Sequence, residues 1–179
     1  MSEPHTELYH RHRRPPHPQR RERRLPPLEE RALAAWAKAA ILEQTGEEPL
    51  AASLRRDLEE LLAQFSRPDG AFAAAPGDRE VLPGANGLAI AALARGGWAL
   101  GEYRFLRRAE EARLFLKTRL TGPEGQLYAR WEERVPSGRA ERADCALCAL
   151  GLMELWRAHG SRFALRQAAK LREELMENE

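Results

Sequence analysis

The chain has 179 residues, 43% hydrophobic and 31% charged, enough for one domain with a buried core. No apolar run approaches the ~18 residues of a membrane span, no signal-peptide core opens the chain, and two cysteines are too few for a disulfide scaffold. A membrane protein and a disulfide-built secreted domain are thereby set aside, and a cytoplasmic protein is expected.

The net charge of +2 is unevenly spread. Residues 1–27 carry seven arginines against Glu3, Glu7 and Glu22, a net +4, which leaves −2 for the remainder. Proline denies this stretch helical continuity, and it has almost nothing apolar to bury. It is expected to be a disordered basic tail rich in Pro, Arg and His. A solvated leader is preferred to a nucleic-acid-binding arm.

From residue 28 onward the pattern is helical. "RALAAWAKAAILEQ" precedes Gly46, and a stripe of Leu50, Leu54, Leu58, Leu61, Leu62 and Phe65 marks an amphipathic partner. "RPDG" (67–70) then suits a tight turn, since proline presets it and glycine completes it. Asn86-Gly87 opens "GLAIAALARGGWAL" (87–100), which is apolar on every side and so is expected to be buried on every side. After Gly101, residues 103–120 place Phe105, Leu106, Ala109, Ala112, Phe115, Leu116 and Leu120 on one stripe. A second turn, "GPEG" (122–125), leads into the polar connection "LYARWEERVPSG", where no strand pattern is read. "ADCALCALGLMELW" (143–156), Gly160 and the stripe Leu165, Ala168, Ala169, Leu171, Leu175 complete the chain.

These segments repeat. A shift of 55 carries Gly46 onto Gly101, Pro68 onto Pro123 and Gly70 onto Gly125, and a shift of 59 carries Gly101 onto Gly160. Each unit is an apolar helix, a glycine suited to a left-handed cap, and an amphipathic helix. The expected domain, 28–179, holds three hairpins at about 28–66, 86–120 and 140–177. The fold class is all-α, with buried helices inside and amphipathic ones outside: consecutive helical hairpins forming half of an α/α toroid. A closed ring of six such hairpins needs about 330 residues, so a fragment, a self-associating half or an open bundle is expected.

At "DREVLPGANGLAIAALARGGWALGEYRFLRRA" and "AERADCA" (140–146) the chain resembles the toroid portion of the thioredoxin-domain-containing, spermatogenesis-associated protein family. That toroid is similar to the six-hairpin glycosidases and N-acylglucosamine 2-epimerases. The resemblance covers about 78–177, and no thioredoxin domain precedes it. Asp78, Asn86, Gly87 and Asp144 match the family pattern. Ala85 stands where the family has tryptophan, Arg79 and Ala143 where it has aspartates, and Cys145 where it has tyrosine. The resemblance therefore implies a carbohydrate-related fold in a form that has lost several polar positions.

The candidate site residues follow from position. Asn86 is expected to cap its helix, or to bind a polar ligand at the toroid mouth, where helix N-termini converge. Asp144 caps the third inner helix or serves as a general acid or base, with Asp78 and Glu141 as the companions that sugar chemistry needs. Trp131, with Tyr128 three residues before it, offers a sugar-stacking platform or packs over the hairpin ends. Arg134 offers an anion contact or is solvated. Cys145-Ala-Leu-Cys148 is expected to be core, because a redox pair needs an exposed helix start and zinc needs further ligands. Trp36, Trp98 and Trp156 are expected in the core. No cofactor or metal is called for.

Two functional classes stay open. The first is a non-catalytic fragment or interaction module that packs its open edge on a partner or on itself. The second is a carbohydrate-active enzyme, a glycosidase or sugar epimerase, completed by a homodimer or a partner chain that supplies the missing hairpins. The balance is against catalysis by an isolated chain.

Overall fold

The computed structural model describes residues 25–177, so the expected disordered tail lies almost wholly outside the described residues. Six helices follow in order: α1 (Pro27–Thr45), α2 (Glu48–Phe65), α3 (Pro83–Leu100), α4 (Tyr103–Arg119), α5 (Arg142–His159) and α6 (Arg162–Glu177). α1, α2 and α3 each carry proline in the first turn, where its fixed φ fits and its missing N–H costs nothing. α1, α3 and α5 end on Gly46, Gly101 and Gly160 at φ +65°, +68° and +73°, the left-handed caps that the repeat predicts.

α3 packs on both α1 and α5, and α2, α4 and α6 lie outside them. This is three consecutive helical hairpins in two layers. α3 is the centre of the core: all its residues from Pro83 to Ala94 are buried. Leu88, Ile90 and Leu93 are at most 2% exposed, and such burial contributes about 2 kcal/mol per side chain.

Glycine lets α3 and α5 approach backbone to backbone. A Cβ on Gly87 would stand 2.6 Å from Cys148 Cα and from Leu147 O. One on Gly151 would collide with Gly87 O. Glycine inside a helix costs roughly 1 kcal/mol, so its use here marks a contact that no larger residue permits.

The hairpin ends are unequal. Two residues join each inner helix to its outer partner, whereas 66–82 and 120–141 join the outer helices to the next inner ones. Both long loops begin alike. Arg67 O accepts Gly70 N–H at 3.2 Å and Gly122 O accepts Gly125 N–H at 3.0 Å, and bridges Ser66–Phe72 and Thr121–Leu127 close the two turns. A third bridge, Val81–Trp131, stitches one loop to the other.

The second loop corrects one expectation. Residues Tyr128–Glu132 (β1) and Val135–Arg139 (β2) form an antiparallel hairpin, with Glu132 opposite Val135. Its two central residues, Glu133 and Arg134, take φ +48° and +70°. A two-residue hairpin turn favours Asn-Gly at those positions, so Glu-Arg hides the turn in the sequence. A second correction concerns tryptophan. Trp98 is 62% exposed and Trp156 37%. Gly96 and Gly97 take the faces of α3 toward α2 and α4, which leaves Trp98, one residue on, pointing past both.

Candidate functional site

α3 and the middle of α5 are apolar with one charged exception each, and these two residues meet. Arg95 is the one charge on α3, and Glu154 is the one acid on α5 beyond its first turn. The same shift of 59 that aligns their glycine caps aligns these two residues. Arg95 Nη1 lies 3.5 Å from Glu154 Oε1. The Trp36 indole donates to the same oxygen at 3.1 Å, and Arg157 Nη1 donates to Oε2 at 2.9 Å. Arg95 Nε and Nη2 donate to Glu43 Oε2 at 3.1 and 2.7 Å, and its guanidinium sits 5.5 Å from the Trp36 ring centre. The Glu43 hydrogen bond raises the Arg95 pKa above its usual value against the opposing pull of burial.

Helix geometry places this cluster on the side away from the outer layer. Lys38 reaches Ser53 and Asp57 on α2, and Trp36 stands about 200° around α1 from it. Gly97 meets Phe105 and Leu106 on α4, and Arg95 stands about 200° around α3 from it. Trp36 and Glu154 thus join the first and third inner helices across the inward face of the second. The Glu154 side chain is only 6% exposed, and a carboxylate so buried is tolerated because three donors surround it. Carboxylate, guanidinium and indole N–H together supply both acceptors and donors.

Asn86 is fully buried in the first turn of α3 and is not its cap; Leu82 holds that place. Its Oδ1 accepts Phe72 N–H at 2.9 Å, while Nδ2 donates to Phe72 O at 2.9 Å and Leu82 O at 3.0 Å. The residue read as a cap is therefore a clamp that holds the 66–82 loop on the helix.

Asp144 and Glu141 come together as a reciprocal capping box on α5, in which Asp144 Oδ2 accepts Glu141 N–H at 3.2 Å. Asp144 also lies against Gly84 in the first turn of α3. Asp78 is exposed in the 66–82 loop, where its Oδ1 accepts Arg79 N–H at 2.6 Å and Glu80 N–H at 3.2 Å.

Trp131 is 8% exposed, edge-on to Phe115 at 5.7 Å, with the Arg119 guanidinium 6.0 Å from its ring centre. With Arg67, Pro68, Asp69 and Arg134 these residues line a groove of about 530 Å³ at the long-loop end. Tyr128 does not join Trp131 in one platform, because residues three apart on a strand face opposite sides.

Cys145 and Cys148 are buried in α5. Burial pushes the Cys148 thiol pKa well up, and its Sγ lies 3.1 Å from Pro83 O, so it behaves as a core residue. Among the described residues no cluster of His, Cys, Asp and Glu has the makings of a metal site, and no helix is long and apolar enough to cross a membrane.

The chain superposes on cellobiose 2-epimerase from Spirochaeta thermophila with a TM-score of 0.74 at 16% identity, covering 80% of this chain and 41% of that one. A sugar epimerase from a ruminal bacterium gives 0.72 at 13%, covering 80% and 42%. A family 76 glycoside hydrolase (mannosidase) from Bacteroides thetaiotaomicron gives 0.69 at 10%, covering 83% and 43%. The fold is that of the α/α toroid. The chain spans about two-fifths of the length of these toroids. No family model and no curated protein matches the sequence.

The sequence analysis missed Arg95, Glu154 and Trp36 as a group. The signal available was Arg95 as the one charge of α3 and Glu154 as the one charge between Cys145 and Trp156 of α5, at the same place in the repeat.

Proposed function

We propose that this chain is part of a carbohydrate-handling α/α toroid whose inward face carries Trp36, Arg95 and Glu154 toward a sugar. The observation behind this reading is the cluster itself. Arg95 and Glu154 interrupt an apolar inner layer at equivalent repeat positions, and both lie on the face that a toroid turns to its central cavity. Likeness to sugar epimerases and a mannosidase supports sugars as the ligand class. Trp131 and Arg134 at the long-loop end, with Asp144, Asp78 and Glu141 near the inner-helix mouths, stand as secondary ligand or acid–base candidates. Further hairpins from another chain complete the cavity. The narrower kinship, with the toroid portion of the thioredoxin-domain-containing family, rests on Asp78, Asn86, Gly87 and Asp144.

Titration calorimetry against mannose, glucose, cellobiose and mannobiose tests this. Saturable binding that Glu154→Gln and Trp36→Ala both weaken at least tenfold is expected. Absence of saturable heat with all four sugars defeats it.

One observation favours the second reading, a non-catalytic interaction module. Both Glu154 oxygens are already engaged by donors of the same chain, as suits a clamp between α1, α3 and α5. Under that reading Glu154→Gln lowers stability and changes no sugar affinity.

A further inference from the structure

The outward faces of α1 and α5 are apolar and exposed. On α1 these residues are Leu33, Ala34, Ala37 and Ile41, with Leu33 42% and Ile41 55% exposed. On α5 they are Ala146, Met153 and Trp156, with Ala149 half-buried beside them. Arrays of repeats normally present a polar face at their ends, and these two faces are not polar.

The repeat says what each face is built to meet. In the contact between α3 and α5, α3 contributes Gly87 and Ile90, and α5 contributes Leu147, Cys148 and Gly151. A shift of 59 carries Gly87, Ile90 and Ala94 onto Ala146, Ala149 and Met153, the exposed stripe of α5. Shifts of 59 and then 55 carry Leu147, Cys148 and Gly151 back through Leu88, Ala89 and Ala92 onto Leu33, Ala34 and Ala37, the exposed stripe of α1. The middle step holds in the structure, since Ala32, Ala35 and Ala39 of α1 are buried and are the counterparts of Gly87, Ile90 and Ala94. The two exposed faces are therefore the two sides of one recurring contact, left unmatched among the described residues.

From this we infer that a second copy of the chain is the partner: α1 of each copy packs against α5 of the other, and the two close one six-hairpin ring about a two-fold axis. Head-to-tail contacts of this kind end in a closed ring when the rotation closes and in a filament when it does not. Three hairpins per copy make half a turn, so two copies close. The inference extends the carbohydrate reading by naming what completes the cavity, but its test reads mass and not sugar binding. Loss of sugar affinity in an intact dimer defeats that reading alone.

Light scattering behind a sizing column, on the full chain over a range of loading concentrations, is the measurement. A discrete species at twice the chain mass of 20.3 kDa is expected. A monomer at every concentration, or an open-ended ladder of sizes, overturns the inference. The interface is then probed by charge. Ala37 and Ala146 are exposed counterparts of the touching pair Gly151 and Gly87, and both substitutions keep good helix formers on a helix. Ala37→Glu alone and Ala146→Lys alone are each expected to shift the chain toward monomer, because neither long charged side chain fits so close a contact. Single variants that stay dimeric while retaining helical circular dichroism place the contact elsewhere and overturn it. Ile41→Glu provides the same reading should either alanine variant fail to fold.

Discussion

Asn86 and Phe72 exchange two hydrogen bonds of 2.9 Å, with side-chain amide against backbone amide, in a site that water does not reach. The pair ties the 66–82 loop to the first turn of α3, and through Val81–Trp131 it steadies the second loop as well. Asn86→Ala leaves the Phe72 N–H and C=O buried without their partner. An unsatisfied buried group costs about 1–3 kcal/mol, so a loss of roughly 3 kcal/mol is expected in urea unfolding. Asn86→Asp recovers only part of this, since a carboxylate accepts from Phe72 N–H but gives nothing to Phe72 O. A loss under about 0.5 kcal/mol for the alanine variant counts against the clamp.

The α3–α5 contact is tighter than its composition suggests. Gly151→Ala drives a methyl group into Gly87 O, a backbone atom that moves only if the helices separate. Gly160→Ala meets no atom within 4 Å and suffers only from φ +73°, a cost of about 1 kcal/mol. The first substitution is expected to lower the melting temperature at least twice as far as the second. Equal shifts imply that the helices part easily.

Glu133 and Arg134 hold a turn that glycine and asparagine adopt more cheaply. Replacing them with Asn and Gly, in that order, relieves two positive-φ positions at about 1 kcal/mol apiece. Thermal unfolding of the double variant is expected to rise. If it falls, the long side chains contribute more than the backbone costs, and the groove beside Trp131 is where they do so.

Acid is expected to weaken the α2–α4 seam. Burial raises the Glu102 pKa, but Arg55 Nε at 2.5 Å and Arg104 Nε at 2.7 Å outweigh it, and the net value is lowered. A carboxylate with a lowered folded pKa adds stability above its unfolded pKa of about 4.3 and loses it as pH falls through the folded value. Stability is therefore expected to decline below about pH 4.5, less steeply in Glu102→Gln than in the parent chain. Identical acid limbs for the two proteins refute this assignment.

Much of this architecture was legible residue by residue. Gly46, Gly101 and Gly160 mark three stops because positive φ is cheap for glycine alone, and the cause lies at the residue itself. "RPDG" and "GPEG" mark turns for the same local reason. What stayed hidden depends on partners distant in sequence. Nothing near Asn86 announces that it exchanges two hydrogen bonds with Phe72, so a cap is the natural inference from Asn-Gly. The β1–β2 hairpin escapes because its turn uses the wrong residues. Trp98 looks like core because α3 is apolar all round, and only the placement of α2 and α4 shows that its last turn is uncovered. Arg95 and Glu154 were visible as exceptions, yet their meeting requires knowing that α3 and α5 are neighbours.

The inequality between the two ends of the hairpins has a consequence for how such a protein changes over generations. At one end, two-residue links with a glycine cap admit almost no alteration, so the spacing of the helices is inherited intact. At the other, the segments 66–82 and 120–141 are longer and pinned only at points such as Phe72 and Val81–Trp131, and one of them carries a strand pair that the other lacks. Longer loops absorb insertions and exchanges better than two-residue links do, so one rim has freedom while the opposite rim stays bound like the spine of a book.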